Sequence, residues 1–261
     1  MISLKRRSAW QTWRDVIFAL FAREIRIGFN DKFGLSWAVV QPILFILLLS
    51  FLRGRLNGGD THSLPTFVFM AYGLLTIQMF IQTFTACFNA VKKNMALFAF
   101  RQVQPLSAVI AAALFELLVK IFVIVGIVIA MSFFGIELRV NNPLAVLYYF
   151  LSVWVLAVAM GLFFAIAAIY IPELKKIQSL ITRPLFFLSA VFFSLQDVPK
   201  DYWWLLNWNP ILHAIELSRY SAYPTYGSNG VSSVFLGVSV LFIAFMSLFF
   251  YHAMWKKAIS R

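Results

Sequence analysis

The chain has 261 residues, of which 62% are hydrophobic and only 12% are charged, and its mean hydropathy is +0.84. Soluble domains are about half apolar and about a quarter charged, so this composition excludes an ordinary soluble domain and predicts an integral membrane protein. Basic residues favour the cytoplasmic face of a membrane, which accounts for the net charge of +12 without a nucleic-acid partner. The single cysteine excludes an internal disulfide and a cysteine-rich metal site.

The first predicted element is an amphipathic helix over residues 9–30. Apolar side chains recur there at helical spacing, and the arginines fall largely on another face. Such a helix lies in the membrane interface, so we expect this one on the inner leaflet. A solvated basic tail is the alternative, but Trp10 and Trp13 argue against it. The uncharged run after Arg14 is too short for a signal peptide.

Six apolar runs follow, each near the length that crosses ~30 Å of hydrocarbon at about 1.5 Å per residue. These predicted spans cover residues 36–52, 64–88, 106–134, 144–171, 178–195 and 231–251. Six crossings place both termini on one side of the membrane. Sixteen of the 22 lysines and arginines fall in segments on that side, so we expect both termini in the cytoplasm.

The third predicted span carries two opposite charges. Glu116 lies near the middle of the bilayer, and Lys120 follows one helical turn later on the same face. The two can pair within one helix. Charges at this depth are costly and are candidates for function, but a self-neutralised pair facing a neighbouring helix is an open alternative.

Between the fifth and sixth spans, residues 197–220 are too polar to cross a membrane and too apolar for an exposed loop. Asn209 is a good N-cap and Pro210 suits the first helical position, so we predict two short helices, at 198–207 and 210–220. The pair forms an outer re-entrant hairpin that dips into the outer leaflet. Its tryptophans prefer the interface, and we expect His213, Glu216 and Arg219 to face away from lipid. A purely structural plug is an equal alternative to direct substrate contact. The residues are Trp203, Trp204, Trp208, His213, Glu216 and Arg219.

The motifs of common enzymes are missing from the sequence. It has no GxxxxGK[ST] phosphate-binding loop, no HExxH and no nucleophile elbow. Its three histidines are widely separated, so no metal site is expected. We therefore expect a protein that is not an enzyme and has no cofactor of its own.

Three motifs in order resemble the transmembrane subunit of ABC-2 type exporters, especially the capsular polysaccharide permeases of the KpsM type. They are "REIRIGFNDKFGLSWAVVQPILFILL" at residues 23–48, "NAVKKNMALFAFRQVQP" at 89–105 and "NPILHAIELSR" at 209–219. The resemblance covers nearly the whole chain, although Phe33 takes a position that is more often leucine. It implies an all-α, six-span half-transporter forming one transmembrane domain over residues 1–261.

The resemblance also implies partners and a route for the cargo. Two copies of the chain pair and bind two copies of a separate ATPase, which holds ATP and magnesium. The polymer leaves between the protomers, past spans one and five. Basic residues before the first span would receive its acidic terminus, and aromatic rings would stack on its sugars. The entrance and conduit candidates are Arg23, Arg26, Lys32, Trp37, Arg183, Phe187, Phe192 and Phe193.

The connection at residues 89–104 resembles the coupling loop of that family. Its central apolar patch and basic rim suit a short helix that docks in a groove of the ATPase. An interfacial loop whose phenylalanines enter the lipid is the alternative. The predicted coupling residues are Lys92, Lys93, Asn94, Met95, Leu97, Phe98 and Arg101.

The leading hypothesis is a multi-pass permease of the bacterial inner membrane that exports lipid-linked capsular polysaccharide. Membrane lipid, a periplasmic co-polymerase and outer-membrane export proteins are the further partners expected. Another cargo, such as O-antigen, teichoic acid or a drug, is the closest alternative. A small secondary transporter that uses Glu116 for ion coupling is a different class, and a membrane-bound transferase lacks a catalytic site.

Overall fold

The computed structural model describes residues 8–30, 32–57, 60–100, 102–136 and 139–259. This part of the chain is helical apart from one two-stranded antiparallel ribbon. The helices are α1 (Ala9–Asn30), α2 (Lys32–Asn57), α3 (Thr66–Lys93), α4 (Pro105–Phe133), α5 (Pro143–Tyr170), α6 (Leu174–Leu188), α7 (Pro210–Ala222) and α8 (Ser233–Ile259). The strands are β1 (Asp60–Thr61) and β2 (Leu64–Pro65), and short 3₁₀ turns cover Met95–Ala99, Leu195–Asp197, Lys200–Leu205 and Pro224–Tyr226.

Five of the described helices are long and apolar enough to cross a membrane: α2, α3, α4, α5 and α8. Helix α6 has 15 residues, which corresponds to about 22 Å, and it is not among them. It also differs from the predicted span at 178–195, because it begins at Leu174 and ends at Leu188. The chain turns there, and Ala190 has a φ of 57°. The six-span count is therefore not confirmed by helix length.

Contacts between helices define two ends of the molecule. Helix α3 begins next to the β1–β2 ribbon and ends at Lys93, whose ammonium donates to Glu24 of α1. At that same end, the Tyr170 hydroxyl on α5 donates to the Met254 carbonyl on α8, at 3.1 Å. We call this the α1 end. At the opposite, ribbon end, the Asn142 N–H donates to the Ser221 carbonyl at 2.9 Å.

Helix α3 is the centre of the fold and packs against α2, α4, α5 and α7. Its crossing with α5 is close because Gly161 has no side chain: a Cβ there would lie 2.4 Å from the Cβ of Cys87. One apolar cluster surrounds α3 toward the ribbon end. A second lies at the α1 end and includes Leu20, Val91 and Phe98. Few residues of α2 and α8 are buried, which leaves apolar faces free for lipid or another protein.

Candidate functional site

A buried polar network joins α7 to the rest of the molecule near the ribbon end, and Arg219 is at its centre. Its guanidinium donates to the carbonyls of Phe69, Ala190 and Val191 at 2.8 to 3.2 Å, and a longer bond of 3.4 Å reaches Phe193. The side chain is fully buried. Because the chain after α6 leaves carbonyls unpaired, Arg219 supplies the donors that those groups would otherwise lack.

Glu216 is the anionic partner in this network. Its carboxylate lies 3.2 Å from the Arg219 guanidinium and accepts hydrogen bonds from the hydroxyls of Tyr226, at 2.8 Å, and Ser194, at 3.2 Å. Burial raises the pKa of Glu216, an effect that Arg219 and the two hydroxyls oppose. Burial also raises the pKa of Tyr226, so its hydroxyl remains a donor.

Helix α7 begins as the sequence predicts. The Asn209 side-chain oxygen accepts from the Ile211 N–H at 3.0 Å, its amide donates to Ser189 at 2.9 Å, and Pro210 takes the first helical position. The amide bond to Ser189 is a second function that only the folded chain reveals, because it ties this N-cap to the end of α6.

His213 also makes two hydrogen bonds within this region. Its Nδ1 accepts from the Ser232 N–H at 2.9 Å, which makes Nε2 the donor to the Asn207 carbonyl, also at 2.9 Å. Burial lowers the pKa of His213. The imidazole is therefore held neutral, in one tautomer, between Asn207, which precedes α7, and Ser232, which precedes α8.

His213, Glu216 and Arg219 were predicted to face away from lipid, and all three are buried inside the chain. Their bonding partners are internal, which supports the structural alternative over direct contact with cargo. The tryptophans differ from one another: Trp204 and Trp208 are exposed, whereas Trp203 is half-buried and donates to the Val198 carbonyl at 2.8 Å.

The conduit candidates lie on α2, on α6 and in the turn after α6, and an unpredicted residue of α6 lies between them. Phe186, which the sequence reading missed, contacts Phe45 of α2, with ring centres 6.3 Å apart, and also Phe187 and Phe192. Phe187 and Trp37 are exposed. The spacing of an aromatic run does not reveal which ring faces the neighbouring helix, so sequence carried no signal for Phe186.

A shallow groove of about 380 Å³ runs beside these rings and is lined in part by Arg183 and Thr182. Phe192 is half-buried among the rings, and Phe193 packs with Ala190 and Leu212 instead. The side chain of Lys32 lies outside the described residues. The structure therefore brings Arg183, Phe187 and Phe192 together but leaves Trp37, near the start of α2, apart from them.

The predicted coupling segment is anchored to α1. Asn94 is buried and donates to the Ala90 carbonyl at 2.8 Å, while its side-chain oxygen accepts from Arg23. Lys93 donates to Glu24. Arg23, predicted at the cargo entrance, therefore holds the coupling segment in place, whereas Arg26 is exposed.

Phe98 was predicted to be the aromatic anchor for the ATPase, and the structure places it on the inner side of the segment. The Phe98 side chain is 6% exposed and lies in the apolar cluster of the chain itself, because the 3₁₀ turn points it inward. Met95 and Phe100 are 42% and 64% exposed and present the apolar surface of the segment. Leu97 packs partly inward, and Arg101 lies outside the described residues.

A cavity of about 260 Å³ at the α1 end joins this segment to the turn between α5 and α6. Lys92 and Met95 line one side, Pro172 and Lys175 the other, and Phe88 is among the apolar residues that complete it. Within the described residues, neither lysine has an acidic group within 4 Å. Two uncompensated positive charges therefore border one apolar cavity.

The intramembrane charges do not form the predicted pair. Lys120 is fully buried and donates to the Gln82 side chain of α3, and no Glu116–Lys120 contact within 4 Å occurs in the described chain. The acceptor is therefore Gln82 on the neighbouring helix α3, and not Glu116, which lies one turn earlier on α4. A second polar contact between helices joins Gln178 of α6 to Thr85 of α3 at 2.9 Å.

Comparison with known proteins defines the class. The profile of the ABC-2 type transporter family matches residues 15–223, and the chain belongs to that family. It is 31% identical over 246 residues to the polysialic acid transport protein KpsM of Escherichia coli, covering 94% of this chain and 95% of that protein.

Two other relatives are more distant. The capsule polysaccharide export inner-membrane protein CtrC of Neisseria meningitidis serogroup A is 27% identical over 212 residues, covering 79% of this chain and 78% of CtrC. The corresponding BexB of Haemophilus influenzae is 26% identical over 246 residues, covering 89% of this chain and 88% of BexB. The predicted resemblance is confirmed.

Proposed function

We propose that this chain is the membrane permease subunit of an ATP-driven exporter that moves lipid-linked capsular polysaccharide across the bacterial inner membrane. One observation carries the proposal: the 31% identity to a polysialic acid transport protein extends over 94% of the chain. The chain hydrolyses no ATP in this proposal, because ATP and magnesium bind to a separate ATPase subunit.

In the proposed topology both termini are cytoplasmic and the chain crosses six times. Basic side chains of α1, of the end of α3 and of the start of α6 gather at the α1 end, which supports a cytoplasmic position for that end. Helix α6 and the turn after it make the short fifth crossing. Helix α1 lies on the inner leaflet, since Trp10 and Phe18 are 67% and 69% exposed.

The proposed conduit forms between two copies of the chain. Helices α2 and α6 expose aromatic and aliphatic side chains on one side of the molecule, among them Trp37 and Phe187. Sugar rings present apolar faces that stack on such rings, and Arg183 adds a positive charge beside Phe187 for an acidic polymer. A periplasmic co-polymerase and outer-membrane export proteins would receive the polymer.

Energy coupling is proposed at the α1 end, through a surface made of two segments. Met95 and Phe100 supply exposed apolar contacts, and the cavity between Lys92 and Lys175 accepts an acidic side chain of the ATPase. The ATPase would therefore hold the connection after α3 and the turn before α6 together. Since α6 borders the proposed conduit, a movement at this surface reaches the pathway directly.

The proposed function is tested in a strain that lacks the gene for this chain. Complementation with the intact chain is expected to restore polysaccharide at the cell surface, and a pull-down is expected to recover an ATPase together with a glycolipid identified by mass spectrometry. A matched control is the same strain with an ATPase that binds but does not hydrolyse ATP. Export in that control would favour a secondary transporter. Co-purified O-antigen or teichoic acid would show that this polymer is the cargo instead of capsular polysaccharide.

A further inference from the structure

A narrow apolar cavity of about 260 Å³ lies between α3, α4 and α5. Its inner wall includes Ala71 and Ile127, which are 5% and 3% exposed. Its mouth lies between α4 and α5, where the lining residues Val128 and Leu147 are 39% and 52% exposed. The cavity is therefore open sideways, toward the surroundings of the helices.

The depth of the cavity places it in one half of the membrane. Its α3 residues run from Val68 to Thr76, within about 15 Å of the start of that helix at the ribbon end. This distance is half of the ~30 Å hydrocarbon thickness. At this depth the surrounding solvent is lipid, and an apolar cavity does not hold water stably.

A polar cleft of about 990 Å³ continues the cavity at the ribbon end, and Val140 lines both. Asp60 lines this cleft and forms no ion pair within 4 Å among the described residues. Arg139 also lines it, and its backbone N–H donates to the Tyr223 hydroxyl at 3.1 Å. An apolar slot and a cleft with one negative and one positive side chain thus adjoin, in the order in which a membrane lipid presents its tail and its head.

We propose that this composite site binds one glycerophospholipid with a zwitterionic headgroup. One acyl chain enters between α4 and α5, the phosphate faces Arg139 and the ammonium faces Asp60. The size of the cavity excludes a membrane helix of another protein. A helix is about 10 Å across, so a volume of 260 Å³ would hold less than one turn of it. The proposal needs only a membrane location and does not depend on the nature of the cargo.

Native mass spectrometry of the full-length chain with its partner subunit, purified in mild detergent, tests the proposal. We expect one phosphatidylethanolamine per chain to remain after washing that removes other lipids. Val128→Trp fills the mouth of the cavity and should reduce this retained lipid at least tenfold. Ile129→Trp is the matched control, because Ile129 is the next residue, is 55% exposed and does not line the cavity.

A second pair of variants guards against misfolding of the first. Leu147→Trp should release the lipid, and Leu144→Trp, at an exposed position that does not line the cavity, should retain it. Asp60→Asn should weaken the preference for phosphatidylethanolamine over phosphatidylglycerol, because the ammonium loses its partner. The proposal is overturned if the wild-type chain retains no lipid, if the cavity variants retain as much as their controls, or if the retained lipid has an anionic head.

Discussion

The Arg219 guanidinium lies over the Phe69 ring, 3.5 Å from its centre, and donates to the Phe69 carbonyl at 3.1 and 3.2 Å. The two residues are 150 positions apart, so this contact fastens α7 to the start of α3. A lysine at position 219 keeps the charge but lacks the planar fork of donors. The contact between α7 and α3 therefore depends on the shape of arginine as well as on its charge.

Arg219→Lys is expected to lower the thermal unfolding temperature of the purified complex strongly, because the carbonyls around it and Glu216 lose their donor. Each buried acceptor that is left without a donor typically costs about 1–3 kcal/mol. Arg55→Lys, at an exposed position, is the control and should change the unfolding temperature little. Equal unfolding temperatures for the two variants would contradict a central role for Arg219.

Gly73 is expected to tolerate no side chain. A Cβ there would lie 2.6 Å from Nη2 of Arg219 and 2.9 Å from the Val191 carbonyl oxygen. Gly73→Ala should therefore destabilise the protein, although alanine favours helices by about 1 kcal/mol. Gly54→Ala meets nothing within 4 Å and should be neutral or stabilising. Thermal unfolding distinguishes the two, and a stabilised Gly73→Ala variant would refute the close packing.

Phe100→Ala is expected to weaken binding of the ATPase without changing the stability of the permease. An exposed aromatic anchor is often worth about 2 kcal/mol in an interface, which is more than a tenfold loss of affinity. Phe98→Ala should do the reverse, since loss of a buried phenylalanine costs about 3–5 kcal/mol of stability. Pull-down and thermal unfolding of both variants check this, and undiminished ATPase binding by Phe100→Ala would contradict it.

Lys92 and Lys175, the two lysines of the cavity at the α1 end, should both contribute to binding an acidic side chain of the ATPase. Reversing either charge, in Lys92→Glu or Lys175→Glu, is expected to reduce ATPase-dependent export, because an acidic partner residue would meet repulsion. Lys176→Glu, one position beyond and not lining the cavity, is the control. Export equal in all three variants, measured as surface polysaccharide, would show that the cavity holds no acidic group of the ATPase.

Acid is expected to destabilise the region around α7 through His213. Its pKa is lowered in the folded chain, so the unfolded chain binds more protons and stability falls as the pH drops below about 6.5. Protonated Nδ1 could no longer accept from the Ser232 N–H. Glu216 is the nearest titratable group on the same helix, and its carboxylate bonds elsewhere. His213→Gln should reduce the acid slope of the unfolding temperature, whereas His252→Gln should not; an unchanged slope in His213→Gln would refute this.

The sequence by itself determined the class of protein and most of the helices. Composition and long apolar runs are sufficient for membrane helices, because a chain in lipid must satisfy its backbone groups internally. Helix α1 occupies the range predicted from its amphipathic pattern, and the Asn209–Pro210 cap of α7 follows from local chemistry. These features depend on residues that are neighbours along the chain.

Tertiary structure decided which side of each element is buried and which polar groups meet. Periodicity could not show that Phe98 faces inward and Phe100 outward, since one lies in a short turn and the other just after it, and the direction of that turn depends on packing with α1. Spacing favoured Glu116 for Lys120, yet Gln82 of another helix is its partner. The end of α6 at Leu188 depends on Arg219, which supplies donors from about 30 residues further along the chain. Such contacts form only when distant segments pack, so no local pattern in the sequence records them.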